Sequence, residues 1–163
     1  MGFESFQVEL RGGPATFANA EQVVREFRYS HPDYESIELA GSKYFTIEDG
    51  SHVIEVEVAA KPVKVSCRFT LCHPPTVDTA FLDIVCKLQI HLKMDAIFGE
   101  RRFPIARFTE FANLATDCIT ERRAEWVANF GPTTLPAKTS EASEKMVLRN
   151  CVPDVAGKPQ LVG

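Results

Sequence analysis

The sequence has no long hydrophobic run, and its longest apolar stretches are only a few residues. A membrane-spanning helix needs about 20 apolar residues, so we expect no transmembrane segment and no membrane partner. The N-terminus lacks a basic region followed by an apolar stretch, so no secretory signal is visible. Nucleotide and serine-hydrolase motifs are also missing. Gly12-Gly13 precedes Pro14, which has no N–H to donate to an anion, and no Gly-x-Ser-x-Gly elbow occurs.

The chain also lacks an excess of positive charge. It has 18 basic and 22 acidic residues among 163, for a formal net charge of -4. Such a field repels phosphate backbones, so we expect no nucleic-acid partner. The five cysteines are an odd number without a secretory signal. This combination predicts reduced thiols in a cytoplasmic protein rather than a disulfide framework.

The composition changes near residue 130. Turn-forming residues dominate from Gly131 onward, where four of the ten prolines fall. We therefore predict a single domain over 1–130, followed by an extended or partly disordered tail over 131–163. An arm that lies over its own domain or a neighbouring subunit is the alternative for this tail.

Within the predicted domain, hydrophobic periodicity gives the order strand, helix, three strands, helix, an extended segment over 94–98 that is a candidate short strand, and a further helix over 107–129. Thr16 and Thr76 are the expected N-caps of the first two helices. Residues 36–72 predict a three-stranded antiparallel meander, whereas 87–94 fit either the end of the second helix or a strand. The fold class is α+β: an antiparallel sheet of about four strands (βαβββα) with helices on one face, an additional C-terminal helix and the tail.

The first hairpin of the meander is predicted from Asp49-Gly50, a dipeptide that suits the left-handed dihedrals of a two-residue turn. This turn would pair Ile47 with His52 and Phe45 with Ile54, and the apolar residues of the two strands would then coincide.

Two pairs of residues are candidates for catalysis. His52 could act as a general base oriented by Asp49. Cys72 beside His73 could act as a thiol nucleophile with an adjacent base. Each pair also has a structural interpretation, in which His52 caps the end of the core and His73 opens a Pro-Pro turn.

A metal site is not predicted. Cys67, Cys72, His73 and Cys86 are close in sequence, but positions five apart on a strand point to opposite faces of a sheet. The two strand cysteines therefore cannot easily share the tetrahedral ligand set that zinc needs. We predict no metal and no cofactor.

The polar face of the predicted sheet is a candidate binding surface. Alternation places Tyr44, Glu55 and Arg68 in one cross-strand row on the side away from the helices. Such a mixed surface could dock a peptide or protein, or form half of a symmetric dimer interface. A solvated face with ordinary ion pairs is the alternative.

Together these observations favour a cytoplasmic protein-binding or interaction module that self-associates, with another protein or its own copy as partner. The alternative is a small-molecule enzyme that uses His/Asp or Cys/His chemistry. No resemblance to a known family is identified in these residues.

Overall fold

The computed structural model describes residues 5–27, 37–39, 41–49, 52–71 and 75–130. They form one seven-stranded antiparallel sheet with three α-helices and a short 3₁₀ helix. The strands lie in the order β2-β3-β4-β5-β1-β6-β7. In chain order the elements are β1 (Ser5–Arg11), α1 (Phe17–Glu26), β2 (Ile37–Leu39), β3 (Ser42–Asp49), β4 (His52–Ala59), β5 (Lys64–Thr70), α2 (Val77–Leu92), β6 (Asp95–Phe98), β7 (Arg101–Phe103), the 3₁₀ helix (Ile105–Arg107) and α3 (Phe108–Phe130).

The α+β class is confirmed, but the sheet has seven strands rather than about four. The three additional strands are short, and one of them, β6, coincides with the extended segment predicted over 94–98. β2 precedes β3 at the start of the meander, and β6 and β7 form a hairpin after α2. β7 contains two arginines and only one buried residue, Phe103, so it has no alternating apolar pattern from which to predict it.

The apolar core lies between the sheet and the helices. Phe6, Val8 and Leu10 alternate along β1 and are almost completely buried, as the period of two predicts. The ring of Phe6 lies 5.7 Å from that of Phe81 on α2. The ring centroids of Phe81 and of Phe69 on β5 lie 4.9 Å apart, and the two rings are tilted relative to each other. This aromatic cluster packs α2 against the adjacent strands β5 and β1 near the centre of the sheet.

The register of the first hairpin differs from the predicted one by two residues. β3 pairs with β4 so that Ile47 lies opposite Ile54, Phe45 opposite Val56 and Asp49 opposite His52. Each of these β3 residues therefore lies opposite a β4 residue two positions later in the chain than predicted. Because side chains alternate with a period of two, a slip of two keeps every residue on its face. Apolar alternation alone therefore could not distinguish the two registers.

The second hairpin and the positions of the helices agree with the sequence, but the predicted cap at Thr76 is wrong: Thr76 precedes α2 with a helical backbone, and its side chain makes no cap hydrogen bond. β4 pairs with β5 so that Glu55 lies opposite Arg68. Thr16 caps α1 through a reciprocal capping box with Asn19, with N···O distances of 3.2 and 3.3 Å. α2 continues to Leu92, so the strand alternative for 87–94 is wrong.

α2 ends because Lys93 adopts a left-handed conformation (φ 54°), after which β6 begins at Asp95. α3 extends from Phe108 to Phe130 and buries Phe111, Ala115, Ile119 and Trp126, as predicted. In the described ranges, no helix has the length and apolar character that crossing a membrane requires. The predicted tail, 131–163, lies outside the described residues.

Candidate functional site

The three helices all contact the same side of the sheet. The guanidinium of Arg25 on α1 lies 5.2 Å from the ring of Phe45, Phe81 of α2 packs on Phe6, and Phe111 of α3 packs on Phe98. The opposite side is here called the outer face. Its central residues are Gln7 and Glu9 on β1, Tyr44 and Thr46 on β3, Glu55 and Glu57 on β4, and Lys64, Ser66 and Arg68 on β5.

The outer face brings the three predicted binding residues together, but not in one row. Tyr44 lies opposite Glu57, whereas Glu55 lies opposite Arg68 on one side and Thr46 on the other. The predicted single row is therefore wrong for Tyr44, for the same reason as the hairpin register. Tyr44 is instead a diagonal neighbour of Glu55, in the adjacent row.

A shallow pocket of about 190 Å³ lies among these side chains. Its lining joins four strands: Gln7, Tyr44, Glu55, Val56, Glu57, Ser66 and Arg68. Tyr44 is 39% exposed, unlike the buried rings on the helical side of the sheet. The pocket therefore combines an accessible aromatic ring with two carboxylates and one guanidinium.

The ion pairs of the outer face are unevenly distributed. Arg68 pairs with Glu55 at 3.1 Å. The carboxylate of Glu9 contacts two cations, Arg11 at 2.8 Å and Lys64 at 3.1 Å. Glu57 is in contact with no lysine or arginine nitrogen within the described residues. Surface pairs of this kind contribute about 0–1 kcal/mol each, so they shape the local field more than they stabilise the fold.

The carboxylate of Glu57 changes the electrostatic environment of Tyr44. Its hydroxyl hydrogen-bonds to Glu57, and this bond, with partial burial and the negative charge of Glu57, raises the pKa of Tyr44. The phenol therefore stays protonated at neutral pH and keeps donating to the carboxylate. Tyr44 and Glu57 thus form one polar unit at the edge of the pocket.

Of the four catalytic candidates, only Asp49 and His52 lie within the described residues. The backbone register pairs Asp49 with His52 across the first hairpin, instead of Ile47 with His52. Cys72 and His73 lie outside the described residues, so their arrangement stays a prediction. The enzyme alternative also stays a prediction.

The cysteines that the structure describes are reduced and partly or fully enclosed. Burial raises the pKa of the Cys67 thiol to about 12. Burial, together with the nearby Asp83, also raises the pKa of Cys86 on α2. Neither environment favours the thiolate that nucleophilic or metal chemistry uses. Across the described ranges, no group of three or more His, Cys, Asp or Glu side chains converges in a geometry that could hold a metal ion.

A second depression, of about 450 Å³, lies between α1 and the end of α2, and its lining includes Gln22, Glu26 and His91. The sequence did not indicate it, because its walls come from two helices whose packing is not visible in either local pattern. Gln7 and Glu9 were likewise not assigned to the outer site. Their alternation was visible, but the pairing of β1 with β5 was not.

The comparisons with known proteins give no relative. No protein-family model, no curated protein and no solved structure matches this chain.

Proposed function

We propose that this chain is a protein-interaction module that self-associates, and that two copies meet through the outer faces of their sheets. The observation that carries the proposal is the uneven charge of that face. An unmatched carboxylate, Glu57, lies close to Lys64, which shares a single carboxylate with a second cation. A face that carries both surplus charges is complementary to a rotated copy of itself.

The edges of the sheet favour the face over edge-to-edge pairing. The edge strands β2 and β7 have three residues each. β7 also carries Arg101 and Arg102, and charged side chains on a short edge discourage pairing with another chain. Growth of the sheet by strand addition is therefore disfavoured.

The size of the face sets the expected strength. Strands β1, β3, β4 and β5 have seven or eight residues each. With strands about 4.8 Å apart and about 3.3 Å per residue, their flat area is at most about 480 Å², because Val53 and Thr70 on this side are each only 2% exposed. A stable interface of standard size buries about 800 Å² per partner, so we expect weak, reversible dimers with micromolar or weaker affinity.

Sedimentation equilibrium from about 5 to 500 µM tests the proposal. We expect the average mass to rise from monomer toward dimer over this range. Thr46→Arg, which adds a long cation to the outer face, should reduce association. Thr116→Arg on the exposed side of α3 is the matched control and should associate like wild type. A wild type that stays monomeric would refute the proposal, as would a dimer that both substitutions leave unchanged.

A further inference from the structure

The outer face carries a surplus positive charge at one position. Glu9 is contacted by both Arg11 and Lys64, and one carboxylate neutralises only one of them. The Lys64 side chain is 37% exposed and so retains a large accessible surface. Arg68, a third cation of the outer face, is paired with Glu55. Of the two cations that share Glu9, Lys64 is the one that lies next to Glu57 along the paired strands β4 and β5.

A surplus negative charge lies in the pocket. Glu57 accepts a hydrogen bond from Tyr44 and contacts no basic side chain in the part of the chain that the structure describes. The exposed ring of Tyr44 lies in the same pocket. A carboxylate beside an aromatic ring suits an ammonium or guanidinium group, through an ion pair and a cation–π contact.

The strand register relates these two charges by a simple geometry. Glu57 lies opposite Ser66, and Ala59 lies opposite Lys64. The four residues form a rectangle in which Glu57 and Lys64 occupy opposite corners, about 8 Å apart. Ala59 and Ser66, at the other two corners, are small and each 7% exposed.

A twofold axis in the plane of the interface, perpendicular to the line from Glu57 to Lys64 at its midpoint and passing close to Ala59 and Ser66, would exchange Glu57 and Lys64 between facing copies. Each Glu57 would then lie opposite Lys64 of the second copy, and small side chains would meet at the axis. Because the operation is symmetric, the contact occurs twice.

We infer that the pocket formed by Tyr44 and Glu57 is a binding site for the Lys64 ammonium of a second copy of this chain. This inference rests on the proposed self-association through the outer face and specifies its central contact. The lysine exchanges a shared carboxylate for one that has no cation of its own.

Charge exchange tests the contact. We expect Glu57→Lys alone and Lys64→Glu alone each to raise the dimer dissociation constant by at least about tenfold, because two attractive contacts per dimer become repulsive. Mixing the two variants should restore association to within about threefold of wild type, since both contacts of the mixed dimer are again attractive. Native mass spectrometry with one variant isotopically labelled identifies these mixed dimers.

Glu125→Lys on α3 and Lys87→Glu on α2 make the same changes of net charge on the helical side and should associate like wild type. A wild-type dimer that both outer-face reversals leave unchanged would refute the Lys64 contact while leaving the proposed self-association in place. Weakened single variants that fail to form mixed dimers would also refute it. A monomeric wild type would refute both proposals.

Discussion

Replacing Gln89 with glutamate should make the free energy of unfolding of this protein decrease steeply as the pH rises from 4 to 7. Gln89 lies on α2 and is fully buried. Its Nε2 donates to the carbonyl oxygens of Met94, at 3.2 Å, and Phe103, at 3.0 Å. The side chain therefore ties α2 to the chain entering β6 and to the end of β7. Its Oε1 accepts no hydrogen bond within the described residues.

The size of this loss of stability depends on the atom that replaces Nε2. In Gln89→Glu an oxygen faces the two carbonyl oxygens, so the ionised form is repelled and only the protonated form can donate. The folded-state pKa of the new carboxyl should therefore rise above its unfolded value of about 4.3. A raised pKa in the folded state favours folding below the unfolded pKa, and this contribution is lost as pH rises toward the folded pKa. The loss is about 1.4 kcal/mol per pH unit, or about 3.7 kcal/mol between pH 4.3 and 7 if the folded pKa reaches 7.

Urea unfolding at several pH values between 4 and 7 measures this slope, with each variant compared with wild type at the same pH. Gln89→Met is the matched control. It removes both donors and also the buried acceptor, so its cost should be about 1–3 kcal/mol and the same at every pH. If the free energies of unfolding of Gln89→Glu and Gln89→Met differ by the same amount at every pH, the Gln89 amide does not donate to the two carbonyl oxygens as we describe.

Two further predictions concern α1 and the core thiol. Thr16→Ala should lower the free energy of unfolding by about 1 kcal/mol in urea, because it removes the cap bond to the amide of Asn19, whereas Thr16→Ser should retain most of it. Equal losses in both variants would contradict this. Because burial raises the pKa of Cys67 to about 12 and encloses its sulfur, a maleimide at pH 8 should label it only through unfolding. Peptide mass spectrometry assigns the site, and native-state labelling as fast as that of an unfolded thiol would refute the prediction.

Local sequence patterns were sufficient for the helices and for the assignment of faces. The capping box at Thr16 and the apolar stripe of α3 are contained in short stretches of sequence, so their bounds could be predicted closely. Residues 87–92 had two compatible periodicities. In the helical conformation, the Nε2 group of Gln89 donates to the carbonyl oxygens of Met94 and Phe103, both of which lie beyond α2. That long-range contact has no local signal.

The edge of the sheet was harder to predict than its centre. β6 and β7 pair as a short hairpin, and β6 also pairs with β1, more than eighty residues earlier in the chain. A strand of three or four residues shows little periodicity, and its pairing partner is set by tertiary packing. The same limit applied to β1, whose polar residues lie on the outer face only because β1 joins β5.

The register of the first hairpin also decides the electrostatics of the candidate site. In the predicted register, Tyr44 would lie opposite Glu55, a carboxylate that Arg68 already neutralises. In the structure Tyr44 lies opposite Glu57, and the hydrogen bond between them keeps a charge without a basic partner beside an exposed ring. Matched pairs lose hydration when they meet another surface and gain little in return. Separated surplus charges gain a partner when they meet a complementary copy, so the proposed self-association through this face depends on the register between β3 and β4.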